Sequence, residues 1–170
     1  KLGIKGSSTR QVFFNNVKVP VENMLSTREN GFKIALNILN IGRIKLAGAA
    51  MGGCKGIISQ TINYANEREQ FGRVIGSFQA VSHRAADCFI DLECLRLVNQ
   101  QACINLNTNL DCENDALIAK IWAGNACHKI SYSAQHLHGG AGVDKDYVLW
   151  RYCLLAKECE LINGSASQNI

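Results

Sequence analysis

The sequence predicts an all-α fold: an up-and-down four-helix bundle with a short N-terminal β extension. Three observations predict it. Apolar residues recur every three or four positions through four long segments between Phe32 and Leu161. The single proline, Pro20, leaves everything from Val21 onward free of the strongest helix breaker. Glycine-bearing or polar turns then separate the segments, and short turns between long helices make neighbours antiparallel.

Residues 10–19, "RQVFFNNVKV", set β-branched and aromatic residues around an Asn-Asn pair and read as a short hairpin or two strand ends. A loop, "PVENMLSTRENG", follows. From Phe32 the residues Ala35, Leu39, Gly42, Leu46, Ala50, Gly53 and Ile57 mark one helical face, rich in Gly and Ala, against which another helix can approach closely. This first helix runs to about Glu69 and is stopped by Gly72. Each interior glycine costs about 1 kcal/mol of helix propensity relative to alanine, so tertiary packing must support it.

Ser77 is placed to cap a second helix, whose buried stripe is Val81, Ala85, Cys88, Leu92 and Leu95, extended by Ala102 and Leu106 to the "NLNTNLD" turn. A third helix spans about Glu113 to His138, with Leu117, Ile121, Gly124, Cys127, Ala134 and Leu137 on one side, and ends in the glycines of "HGGAGVDKD". A fourth runs from about Tyr147 to Leu161.

At 170 residues the chain has the length of one domain with a real core. Its 47% hydrophobic and 19% charged residues argue against disorder. The net charge of +4 comes from Lys and Arg scattered among Asp and Glu, a poor footprint for nucleic acid, though a phosphorylated small molecule is compatible with it. The longest uncharged apolar run falls well short of the roughly 18 residues of a membrane span. The opening "KLGIKGSSTR" has no apolar signal region and reads as the middle of a longer protein.

None of the eight cysteines forms the close pairs of a zinc site, and several replace Ala or Leu on apolar faces. They read as buried packing thiols in a reducing compartment. His136 and His138 are two residues apart, so on a helix they point to different faces and cannot chelate one metal. No metal site is expected. His83 and His128 read as ordinary helix residues.

Three clusters are more specific than bundle sequence requires: "NIGRIKLAGAA", "YANEREQFGRVIGSFQAV" and "QHLHGGAGVDKDY". In order and spacing they resemble the C-terminal domain of the acyl-CoA dehydrogenase family, over essentially the whole chain. The resemblance implies that residues 1–28 close a middle β-domain and connect it to the bundle of residues 29–170. It further implies an FAD cofactor bound between subunits. Arg68 matches the arginine that meets the flavin nucleotide of a neighbouring subunit, where a planar guanidinium suits a pyrophosphate. Gln70, Phe71, Phe78, Gln79, Ser165 and Ser167 match further cofactor contacts. His136, Leu137, Gly139 and Gly140 match a segment whose bare backbone lets the adenosine diphosphate approach. Asn40, Arg43 and Gly164 match positions facing the acyl-CoA substrate. Taken singly, Arg68 would serve as a cation at a helix C-terminus, Gly139 and Gly140 as a C-cap, and Arg43 as a snorkelling side chain.

The chain departs from that family where chemistry is concentrated. The family's α-proton base is a glutamate before the glycine of a C-terminal loop; here that position is Asn163, and an amide accepts no proton at useful pH. A second branch carries its glutamate on the first helix, directly before the arginine matched by Arg43; here that residue is Gly42. Glu158 and Glu160 are the nearest carboxylates, and Glu160 would substitute if the loop were re-registered by one turn. The bland reading of both is surface helix charge.

The tail is similar to a bacterial branch acting on sterol side chains, some of whose members are heterotetramers in which one subunit type carries the competent site. Two functions follow from the resemblance. One is part of an FAD-dependent acyl-CoA dehydrogenase whose base lies elsewhere. The other is a non-catalytic subunit that supplies an oligomer interface and the edge of a cofactor site to a catalytic paralogue. Either implies a homo-oligomer or heterotetramer and no activity from this bundle alone, and the reduced thiols fit the mitochondrial matrix and the bacterial cytoplasm alike. An unrelated structural bundle is the remaining reading, and the clustered motifs argue against it.

Overall fold

The computed structural model describes residues 2–165. Four helices dominate: α1 (Gly31–Glu67), α2 (Gln79–Asn107), α3 (Glu113–His138) and α4 (Leu149–Leu161). Between α1 and α2 lies a two-stranded hairpin, β1 (Glu69–Gln70) and β2 (Arg73–Val74), paired antiparallel with Glu69 opposite Val74 and Gln70 opposite Arg73. The all-α reading therefore holds, with α3 falling on its expected limits.

The helices alternate in direction. Cys54 of α1 meets Cys127 of α3 and Tyr64 of α1 stacks on His138 of α3, so these two run parallel through the centre. Their shared face is built from small residues, Ala47, Ala50 and Cys54 against Ala119, Ala123, Ala126 and Cys127, all buried. Small side chains let the two backbones approach at the short end of the usual interaxial range. Antiparallel helices flank this pair. α2 adds Cys88, Leu92, Leu95 and Ala102 to the core, and α4 adds Leu149, Ala156 and Cys159. Ile57, Leu95, Ile130 and Leu149 are at most 2% exposed; removing a side chain of that size from water stabilises by about 1.5–3 kcal/mol.

The predicted stripe of α1 is turned by about one residue. Ala50 and Ile57 are buried as expected, but Asn40, Ile44, Ala47, Cys54, Ile58, Thr61 and Ala65 complete the buried set. Ala35, Leu39, Gly42, Leu46 and Gly53 stay partly or fully open. The cause is that α1 serves more than one neighbour. Its alanines face α3, while a side chain on Gly53 or Gly56 would meet Leu155 or Tyr152 of α4 at 3.4 and 3.3 Å. The glycines make room for α4.

Two local expectations fail. Residues 10–19 form neither strand nor helix. The chain does bend at Asn15–Asn16, with Asn16 at φ 52°, but among the described residues no strand pairs with either arm, and unpaired arms gain no ladder hydrogen bonds. Ser77 does not cap α2. It belongs to a 3-10 turn, Ile75–Ser77, and its hydroxyl donates back to the Val74 carbonyl at 2.7 Å, leaving Phe78 at the N-cap.

The cysteines are also less uniform than expected. Cys54, Cys88, Cys127 and Cys159 are buried, Cys94, Cys112 and Cys153 are half-buried, and Cys103 is exposed on the outer side of α2.

By length and composition α1 is apolar enough to cross a membrane, the one such helix among the described residues. Its packed alanine face and the glycines that receive α4 supply a bundle-side reason for that apolarity.

Candidate functional site

The expected site residues gather at the two ends of the bundle. Arg43 and Arg68 are both anchored on α1, and at 1.5 Å per residue they stand about 37 Å apart.

At the first end, α1 meets the loop that leaves α4. Asn40 is buried, and its side-chain oxygen accepts a hydrogen bond from Arg43 Nη1 at 2.7 Å. Arg43 Nε donates to the Asn163 carbonyl at 3.2 Å. The guanidinium thus ties helix to loop through two bonds aimed in different directions, which a lysine ammonium would not reproduce with the same fixed geometry. The loop turns sharply because Asn163 and Gly164 take φ of 61° and 94°, conformations open to asparagine and glycine. That turn carries the Asn163 amide over Gly42: a side-chain carbon built on Gly42 would lie 3.0 Å from Asn163 Nδ2. Ser165 closes the described chain half-buried at this end. Ser167 lies outside the described residues.

Glu160 does not bring a free carboxylate to this point. Its Oε2 is 2.6 Å from Lys157 Nζ, an ion pair one helical turn back along α4. The neighbouring Glu158 accepts a hydrogen bond from the backbone nitrogen of Ile4.

Sequence reasoning missed Lys120. It is 0% exposed on α3, and its Nζ donates to the Glu160 carbonyl at 3.0 Å. Burial pushes its pKa below the ordinary lysine value, with smaller opposing effects from Cys159 and Glu160. The signal was available: positions 116, 120, 123 and 127 keep helical spacing on the buried face of α3, and a lysine stands in that register.

At the second end, Arg68 terminates α1 as its C-cap and is exposed. The hairpin turn after it holds Phe71 at φ 55° and Gly72 at φ 76°, the paired positive φ angles of a two-residue turn matched to strand twist. A phenylalanine there is unusual, and its side chain is 92% exposed. Phe71 meets Phe78 edge-on at 6.2 Å, while Arg73 lies 4.0 Å above the Phe78 ring. Arg73 is a second residue the sequence reading passed over. Gln70 is exposed, its side chain donating to the Glu69 carbonyl at 2.6 Å, and Gln79 is exposed at the first position of α2.

The end of α3 joins this cluster. Tyr64, one turn before Arg68, stacks on His138 at 4.3 Å and donates to the His138 carbonyl at 3.4 Å. His138 is buried, and its Nδ1 lies 2.7 Å from the Ala134 carbonyl, so that nitrogen carries the proton. His136 points outward and Leu137 is half-buried. Gly139, at φ 57°, and Gly140 are exposed, and a side chain on either would meet nothing within 4 Å. Their backbone is open to an outside ligand. Among the described residues no group of three His, Cys, Asp or Glu is arranged to hold a metal.

The family description "Acyl-CoA dehydrogenase, C-terminal domain" matches residues 29–167, most of the chain. The chain belongs to the acyl-CoA dehydrogenase family. It is 36% identical over 165 residues to an acyl-CoA dehydrogenase of Bacillus subtilis, covering 97% of this chain and 44% of that protein. The butyryl-CoA dehydrogenase structure from Megasphaera elsdenii superimposes with a TM-score of 0.88 at 31% identity, over 92% of this chain and 41% of that one. The ChsE4-ChsE5 complex from Mycobacterium tuberculosis matches with a TM-score of 0.78 at 36% identity, over 82% of this chain and 38% of that one. Comparable relatives include a mitochondrial protein as well as bacterial ones. The chain spans less than half the length of the relatives it matches.

Within this acyl-CoA dehydrogenase domain, the two positions at which the family resemblance expects a base are therefore one place in space, and neither Gly42 nor Asn163 supplies a carboxylate.

Proposed function

We infer that this bundle is part of an FAD-dependent acyl-CoA dehydrogenase, to which it contributes an oligomer interface, one edge of an acyl-CoA site and one edge of a flavin site. The observation that carries this reading is the Arg43 bridge. One guanidinium joins Asn40 on α1 to the Asn163 carbonyl, so that helix and loop form a single polar wall. A thioester lying along that wall would find the Asn163 amide and Gly164 beside it.

The second end fits a flavin nucleotide. Arg68 and the backbone of Gly139 and Gly140 are open, donor-bearing groups suited to a pyrophosphate, and the side-chain space at the glycines is empty. Gln70, Phe71, Phe78, Gln79, His136 and Leu137 would frame the rest, with Phe71 offering an aromatic face to the ligand or to a neighbouring subunit. Bound there, FAD would supply the acceptor for a hydride from an acyl chain held by a neighbouring subunit. The two ends lie too far apart to serve one small ligand, which favours sites completed by other subunits. Residues 1–28 read as the close of a preceding β-domain, and their exposed Val12, Phe13, Phe14 and Val17 suit contact with one.

A second reading has one specific observation in its favour. With Gly42 and Asn163 facing each other and no carboxylate beside them among the described residues, the bundle suits a non-catalytic subunit paired with a catalytic paralogue in a heterotetramer. Reduced thiols in the core agree with the bacterial cytoplasm or the mitochondrial matrix.

The test is a visible absorbance spectrum of the full-length protein as purified, before and after an acyl-CoA is added. Bound flavin that bleaches supports a competent dehydrogenase with a base from elsewhere. Flavin that stays yellow supports the non-catalytic subunit. Absence of flavin from the protein together with its partners would overturn both.

A further inference from the structure

Lys120 poses a physical problem that the proposed function leaves unsolved. A lysine is almost never fully buried unless it is paired. Among the described residues Lys120 makes no ion pair within 4.0 Å of a carboxylate, yet it is 0% exposed at the centre of the bundle. Burying a charge without a partner is costly, so something must compensate it.

The compensation is the end of α4. Lys120 Nζ donates to the Glu160 carbonyl at 3.0 Å, and Glu160 is the penultimate residue of that helix. The last carbonyls of a helix have no partner inside it and carry the negative end of its dipole. A buried ammonium there meets both needs. Three residues further on, Arg43 Nε donates to the Asn163 carbonyl at 3.2 Å. The α4 terminus and its loop are therefore clamped from two helices, by Lys120 from α3 and by Arg43 from α1. Between the two clamps the chain turns through the positive φ of Asn163, which puts its amide over Gly42.

We propose that Lys120 is a positioning residue: by holding the Glu160 carbonyl it sets where the loop of residues 162–165 lies against Arg43 and Gly42. The loop geometry is independent of the ligand's identity; the consequence for acyl-CoA binding rests on the function proposed above.

The test uses the full-length protein and two variants. Lys120→Met keeps the length and loses the donor, and Lys120→Gln keeps a neutral donor. Hydrogen exchange is measured over residues 161–165 and over the α2 core around Leu92 and Leu95, together with the Kd of an S-alkyl coenzyme A thioether. In the Met variant, exchange in the loop is expected to rise about ten- to hundredfold, the factor set by one charge-assisted hydrogen bond, with α2 unchanged. The thioether Kd should weaken by about tenfold or more, and Gln should recover part of both.

Unchanged loop exchange in a folded Met variant would overturn the proposal. So would exchange rising equally in α2, or failure of both variants to fold, since either makes Lys120 a general stabiliser. If loop exchange rises while the parent protein binds no thioether at all, the positioning role stands and the acyl-CoA reading falls.

Discussion

A side-chain carbon on Gly42 would stand 3.0 Å from the amide nitrogen of Asn163. One residue is on the first helix and the other on the loop after the last, more than a hundred positions away in sequence. They share one small volume because Arg43, the neighbour of Gly42, holds the carbonyl of Asn163 itself. A carboxylate supplied from either position would enter that volume, and here both positions leave it to an amide.

Asn163→Glu is therefore expected to place a base where the amide now sits. In the full-length, flavin-loaded protein, turnover of an acyl-CoA should rise by about 10²–10⁴-fold, the usual contribution of a positioned general base. Asn163→Gln, with the same length and no basicity, should leave the rate at its starting level. The paired change Gly42→Glu with Asn163→Gly should act like Asn163→Glu, because removing the amide makes room for the helix-borne side chain. Equal rates for Glu and Gln at position 163 would mean that the loop does not face the reacting carbon.

Much of this arrangement was legible in the sequence. Helical periodicity gave the four helices, and "EREQFG" and "HGGAG" marked the helix ends where candidate cofactor contacts gather. What was not legible depended on neighbours that periodicity does not contain. The stripe of α1 turned because its alanines and its glycines serve different partner helices. Residues 10–19 have strand composition, yet among the described residues no strand pairs with them, and β propensity expresses packing against neighbours more than a backbone preference. The register of Lys120 on the buried face of α3 could be read, but not its role, because the carbonyl it meets lies forty positions away on another helix.

Phe71 stands at φ 55° with its ring almost wholly in water, a combination that folding alone does not favour. A left-handed conformation costs a non-glycine residue about 1–2 kcal/mol. Phe71→Gly should thus raise, or at least not lower, the thermal unfolding midpoint of the protein. Flavin retention through gel filtration should fall in the same variant, because the ring is the part offered outward. A variant that loses stability and keeps its flavin would reverse the argument and make the Phe71–Phe78 contact a folding element.

Ile130 is fully buried on α3, whereas Ile118 on the same helix is 45% exposed. Ile130→Ala should cost about 2–5 kcal/mol in urea unfolding, from lost transfer energy and the cavity left among α1, α2 and α3. Ile118→Ala should cost less than half as much. Equal losses would mean that α3 is not the central helix in solution.

The central thiols make stability fall at alkaline pH. Cys159 holds its proton well above the ordinary thiol value of 9.0, first because it is hydrogen-bonded to Cys127 and then because it is buried. The Cys127 pKa is also raised: its bond to Cys54 and its burial outweigh the lowering effect of Cys159. Burial likewise raises Cys88 and Cys153. Above the ordinary value these thiols lose protons when the chain unfolds and keep them when it is folded. The unfolded state then binds fewer protons, and the unfolding free energy declines as pH rises. Below that value both states are protonated and the thiols add no slope. Lys120 works the other way, since its lowered pKa makes the unfolded chain the better proton binder up to the ordinary 10.5. Four thiols against one lysine leave a net decline, each fully titrating thiol contributing about 1.4 kcal/mol per pH unit. Urea unfolding under reducing conditions should show that decline beginning near the thiol range, and Cys127→Ala combined with Cys159→Ala should flatten it. Stability that holds level or climbs through the range would mean that these sulfurs are open to solvent and that α1, α3 and α4 do not close around them.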